Sequence, residues 1–102
     1  MPYEIEFADN ARAHLRELTA AQRKTVLKEI ETQLTHEPTI STKNRKPMAP
    51  NPLASWELRM GALRVYYDVQ NEPPVVFILA IGEKVRSEVR IGGKLYLWDR
   101  PL

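Results

Sequence analysis

The chain has no cysteine, which excludes a disulfide framework, thiolate metal sites and a cysteine nucleophile. Its two histidines, His14 and His36, both fall in a segment that reads as a helical hairpin, so a paired-histidine mechanism is not expected. No spacing of His, Asp and Glu suggests a metal site, and no cofactor is expected. No apolar run approaches the roughly 18 residues of a membrane span. The opening MPYEIEFADN lacks the basic start and apolar stretch of a signal peptide. A cytoplasmic location without membrane contact is therefore the expectation. Gly82 and Gly92-Gly93 are turn residues, because no helix-opening glycine-rich loop accompanies them. A large excess of one charge sign is missing too, since the formal net charge is only +2.

What is present fits one ordinary globular domain spanning residues 1–102, with 43% hydrophobic and 27% charged residues. Charge is informative in its distribution. Residues 38–70 carry Lys43, Arg45, Lys46, Arg59 and Arg64 against Glu57 and Asp68. Residues 82–100 carry Lys84, Arg86, Arg90, Lys94 and Arg100 against Glu83, Glu88 and Asp99. Seven of the thirteen acids lie before Pro38, in the segment read as strand and helical hairpin, so the fold should have a basic side.

Tyr3, Ile5 and Phe7 alternate with Glu4 and Glu6, the pattern of a half-exposed strand. Asp9 or Asn10 can cap a helix that places Ala11, Leu15 and Leu18 on one face. Thr19 and Gln22 have the spacing of a capping box, and Val26, Leu27, Ile30 and Leu34 form the apolar stripe of a second helix. Pro38 should stop that helix near His36. Residues 38–52, with Pro38, Pro47, Pro50 and Pro52, read as an extended basic loop. Glu72-Pro73-Pro74 makes a turn, and the unbroken apolar run Val75–Ile81 reads as a strand buried on both faces and central in its sheet. Glu88–Ile91 and Lys94–Trp98 flank Gly92-Gly93 as a last hairpin. The expected fold is α+β: a strand, a helical hairpin, then an antiparallel meander packing one face on the helices, with a β-hairpin at its end.

The segment WELRMGALRVYYDV holds the sharpest chemical signal. Alternation puts Trp56, Leu58 and Met60 on one face and Glu57 and Arg59 on the other. With Gly61-Ala62 as a two-residue loop, Met60 pairs with Leu63, and Arg59 stands directly across from Arg64. Like charges placed opposite each other destabilise a sheet. An anion held between them would remove that penalty, which suggests a phosphate-binding surface.

Strand, helical hairpin and antiparallel strands in this order resemble the RelE/ParE superfamily of toxins from bacterial type II toxin–antitoxin pairs. The resemblance rests on Trp56-Glu57-Leu58-Arg59, then Gly61, Arg64-Val65 and Tyr67, then Leu79-Ala80-Ile81-Gly82-Glu83-Lys84, and covers nearly the whole chain. It implies a cognate antitoxin as partner and two alternative targets. The RelE branch is a metal-independent endoribonuclease that cuts messenger RNA on the ribosome and so inhibits translation. The ParE branch binds and poisons DNA gyrase without catalysis; an inactive antitoxin-binding protein of the same fold is a third reading. The nuclease is the leading one. Carried over residue by residue, Arg64 matches the arginine that begins the functional face of its strand. Arg59 stands where a lysine is expected, and Lys84 where a basic residue follows the central strand. Glu57 replaces a further lysine and Arg90 replaces a late tyrosine.

Metal-free cleavage of RNA needs a base for the 2′-OH, charge stabilisation at the phosphate and an acid for the leaving oxygen. Arg59, Arg64 and either Lys84 or Arg90 suit the second role, since guanidinium forks match phosphate. Glu57, opposite Tyr66 and diagonal to Arg64, is the candidate base, and equally satisfies a plain cross-strand ion pair. Tyr66 could donate a proton or stack on a base. Arg86, Arg90, Lys43, Arg45 and Lys46 complete the candidate RNA contacts, although the last three also suit a merely solvated loop. Trp56 and Tyr67 read as core.

Overall fold

A computed structural model describes residues 2–86, 88–92 and 94–96. The elements are β1 (Glu4–Phe7), α1 (Asp9–Glu17), α2 (Ala20–Leu34), β2 (Arg45–Pro47), β3 (Trp56–Met60), β4 (Leu63–Asn71), β5 (Pro74–Val85), β6 (Glu88–Ile91) and β7 (Lys94–Tyr96). They form the expected α+β fold, with one seven-stranded sheet in the order β2-β3-β4-β5-β6-β7. β1 lies off this path and pairs parallel to β5, from Glu4 opposite Val75 to Phe7 opposite Ile78. The sheet is therefore mixed. Gly93 and the expected continuation of the last strand through Leu97 and Trp98 lie outside the described residues.

The helical hairpin forms largely as its caps dictate. Thr19 and Gln22 close a reciprocal capping box at the start of α2. Arg23 donates to the carbonyls of Leu15 and Leu18, both at 3.0 Å, and so satisfies the end of α1. Neither Asp9 nor Asn10 is the cap: α1 begins at Asp9 itself, behind Ala8, which has no polar side chain to cap with. Instead Ala8 N–H donates to the Ile78 carbonyl, which ties the helix start to β5. Val26, Ile30 and Leu34 are buried, whereas Leu27 is 41% exposed, because a strict spacing of four leaves its neighbour off the stripe. α2 ends at Leu34, two residues before His36.

The Pro-rich loop is more ordered than its composition implies. Arg45–Pro47 adds a short edge strand to β3, and an edge is where a proline fits a sheet. Asn51 then folds residues 49–54 around its side chain. Its Nδ2 donates to the Ala49 and Ala54 carbonyls, and its Oδ1 accepts from the N–H groups of Leu53 and Ala54.

Both faces of the sheet are covered in part. Leu58, Val65, Tyr67, Val76, Ile78 and Ile81 pack toward Ala11, Val26, Ile30 and Leu34 of the helices. On the outer face Tyr66, Ala80, Val89 and Ile91 form a second, smaller apolar cluster with Ala54, Met48 and Leu53 of the Pro-rich loop. That cluster covers the outer face of β5, as the reading of Val75–Ile81 as a strand buried on both faces requires.

A bulge makes the two faces compatible. Tyr66 pairs with Ala80 but Tyr67 with Ile78, so Leu79 is the extra residue in β5. Val76 and Ile78 point to the helices before the bulge, Ile81 and Glu83 after it. Gly82 is needed just beyond, because a Cβ there would lie 2.7 Å from the Arg90 carbonyl oxygen and from Ile91 Cγ1. β6 can pair at Gly82 only because that atom is missing.

Candidate functional site

The β3–β4 hairpin has the register its turn predicts. Met60 pairs with Leu63 around Gly61, whose φ of +60° suits glycine, and Arg59 stands opposite Arg64. In such a hairpin the pair next to the loop-closing one is not hydrogen-bonded, which brings its side chains closest. Arg59 N–H accordingly turns outward to the Asn44 carbonyl at 2.8 Å.

The anion between the two arginines is the protein's own. Glu57, two residues before Arg59 on the same face, accepts from Arg59 Nε through Oε1, and the same oxygen lies 4.0 Å from Arg64 Nε. Glu57 is 1% exposed and Arg64 8%, while the Arg59 side chain is 41% exposed. Arg64 is further fixed by its Nη1, which donates to the Gly61 carbonyl at 2.6 Å and the Leu63 carbonyl at 2.9 Å. The like-charge conflict read from the sequence is thus real, and a carboxylate resolves it internally.

Other candidates divide between this cluster and elsewhere. Lys84 shares the face of Arg64, as its place two residues after Gly82 requires, and its N–H donates to the Ala62 carbonyl at 2.7 Å. Lys46 pairs with Glu57 and adds a half-buried cation one strand outward. Lys43 and Arg86 are exposed, the first beside the Asn44 that Arg59 contacts, the second at φ +60° in the turn after β5. Lys46, Arg59, Arg64 and Lys84 therefore share one face of the sheet, and the exposed Lys43 and Arg86 lie in the segments just outside β2 and β5.

Three candidates do not join them as expected. Arg90 pairs with Glu83, on the helix-side face, where it meets Glu88 at 3.7 Å and helps line a depression of about 210 Å³ with His14 and Glu17. Arg45 is 9% exposed, and its guanidinium donates to the carbonyls of Ile40 and Gln33 and to Gln33 Oε1. It braces the loop against α2 and offers nothing to RNA. Tyr66 is fully buried beneath the Pro-rich loop, so its ring cannot stack on a base. Glu57 is enclosed as well, and no 2′-OH can reach it while it holds Arg59.

Tyr67 and Trp56 stack in the core at 6.2 Å, and the Tyr67 hydroxyl donates to the Pro38 carbonyl at 2.6 Å. Burial pushes that phenol far above its usual range, against the smaller opposing effect of Arg45. His14 is not the surface residue its position suggests. Its Nδ1 accepts from Ile81 N–H at 3.1 Å, at the point on β5 where β1 pairing has ended and β6 pairing has not begun. Burial lowers its pKa, with Glu17 opposing. No pattern within its helix could have announced a partner 67 residues away. Among the described residues no group of three His, Asp and Glu could hold a metal ion, and no helix is long and apolar enough to cross a membrane.

Residues 5–87 match the family described as the ParE toxin of type II toxin–antitoxin systems, parDE. Among solved structures, the chain is similar to the toxin–antitoxin complex RelBE2 from Mycobacterium tuberculosis, at 26% identity. The likeness covers 82% of this chain and all of that one, with a TM-score of 0.69. Among curated proteins nothing matches.

Proposed function

Because this chain belongs to the ParE toxin family of type II toxin–antitoxin systems, we propose that it arrests growth by engaging messenger RNA on the ribosome with the outer end of its sheet and cutting it. The observation that carries this reading is the placing of Arg59, Arg64 and Lys84 on adjoining strands of one face, with Lys46, Lys43 and Arg86 around them. Such a cluster suits a sugar–phosphate backbone, and guanidinium forks stabilise charge at a scissile phosphate. Glu57 is the carboxylate adjoining both arginines, and proton transfer through it requires its pair with Arg59 to open. A complex with an antitoxin supplies the solved relative. We assign this chain a partner of the same kind, whose neutralising segment orders on binding across the basic end.

Gyrase inhibition without catalysis is the second reading. It is favoured by the closed state of Glu57 and by Arg90 lying on the opposite face. Induced expression followed by mapping of message ends and by a supercoiling assay separates the two. Cleaved messages with normal supercoiling are expected, and Arg59→Ala should reduce cleavage at least about 10-fold, as loss of one charge-stabilising group does. Intact messages with blocked supercoiling would transfer the assignment to gyrase.

A further inference from the structure

We propose that Glu57 is a built-in competitor for phosphate: it occupies the anion site formed by Arg59 and Arg64 and keeps that site masked until a phosphodiester takes Arg59 from it. The identity of the phosphodiester as RNA rests on the function proposed above; the masked anion site does not.

Three observations carry the inference. The first is the register, which forces two guanidiniums together on adjacent strands and makes an anion there a structural requirement. The second is an incomplete match. One carboxylate oxygen serves Arg59 within hydrogen-bond distance but stays 4.0 Å from Arg64 Nε, and that buried nitrogen has no hydrogen-bond acceptor among the described residues. A buried charged donor left in this way is costly. A tetrahedral anion presents several oxygens and can serve both arginines at once, which a carboxylate fixed to the same strand does not. The third is the difference in freedom. Arg64 is clamped by the Gly61 and Leu63 carbonyls and lies almost wholly inside, whereas the Arg59 side chain is 41% exposed. Arg59 is therefore the member able to trade partners.

The consequence for Glu57 is opposite in sign to a base's role at the binding step: removing its charge strengthens anion binding.

The test uses the full chain and its Glu57→Gln variant, with sulfate as the probe of the site and a single-stranded RNA oligonucleotide as the probe of the target. In thermal unfolding at constant ionic strength, millimolar sulfate should raise the midpoint of Glu57→Gln by about 4 °C more than that of the parent. The excess should vanish in Glu57→Gln/Arg64→Gln. If Glu57→Gln does not fold in chloride, refolding on addition of sulfate that Glu57→Gln/Arg64→Gln does not share is the same positive result. Equal sulfate responses of parent and variant, or failure of sulfate to restore an unfolded variant, would overturn the masked site. RNA binding then decides the target. Glu57→Gln should bind RNA at least about 10-fold tighter, with a salt dependence steeper by about 0.7, the value of one added phosphate contact on a single strand. A sulfate gain without an RNA gain would leave the masked site standing and remove RNA as its ligand.

Discussion

On the helix side of the sheet, Val65, Tyr67, Val76 and Ile78 are fully buried against the hairpin of α1 and α2. On the outer side, Tyr66, Ala80 and Val89 are equally buried, but beside Glu57 and Arg64. The first face is held by apolar contact, which offers no site to a particular anion and responds to millimolar salt only weakly and generally. The second mixes a small apolar cluster with a charge cluster whose members compensate one another. Breaking a buried pair leaves an uncompensated charge. Stability is therefore vested in one face, while the other holds an arrangement that a ligand can rearrange.

Ile78→Ala would break the comparison most severely. A buried isoleucine truncated to alanine should cost about 3–4 kcal/mol, by chemical denaturation, and the loss should be the same with and without sulfate. A sulfate-dependent loss would mean that the two faces are not separable. Gly82→Ala tests the boundary between them. The added methyl meets the Arg90 carbonyl, so about 1–3 kcal/mol should be lost, with amide exchange rising first in β6.

His14→Leu has the smallest expected effect, about 1 kcal/mol at pH 8, from the Ile81 N–H losing its acceptor. Its pH dependence sharpens the result. Because burial lowers the folded-state pKa of His14, the unfolded chain takes up a proton first as pH falls. The contribution of His14 is full above about pH 6.5, the unfolded value. It declines as pH drops from there toward the folded value. The parent should lose stability over that window, and His14→Leu should not show that component.

Much of the fold was legible because short-range signals determined it. Gly61-Ala62 set the register of β3 and β4, and Thr19 with Gln22 set the start of α2. The site was legible only in part. Arg59 facing Arg64 followed from the hairpin, but Val75–Ile81 contains no polar residue whose side would reveal the bulge at Leu79. Without that extra residue the alternation of β5 would be reversed, with Lys84 toward the helices and Arg90 outward. Arg45 misled for another reason. A charge in a Pro-rich segment reads as solvated, and its partners on α2 and the preceding loop are invisible to any local pattern.

The parallel pairing of β1 with β5 joins Glu4 to Val75, about seventy residues later in the chain. At synthesis rates of about 5–20 residues per second, the first strand waits roughly 4–14 s for its neighbour to be made. During that interval the nascent chain carries its helical hairpin without β5, the strand that pairs with β1 and accepts the N–H at the start of α1. Lys84, which completes the cationic end, emerges later still. On the function proposed above, a cell making this toxin completes the RNA-facing end late in synthesis, and has a few seconds per molecule in which to have the antidote at hand.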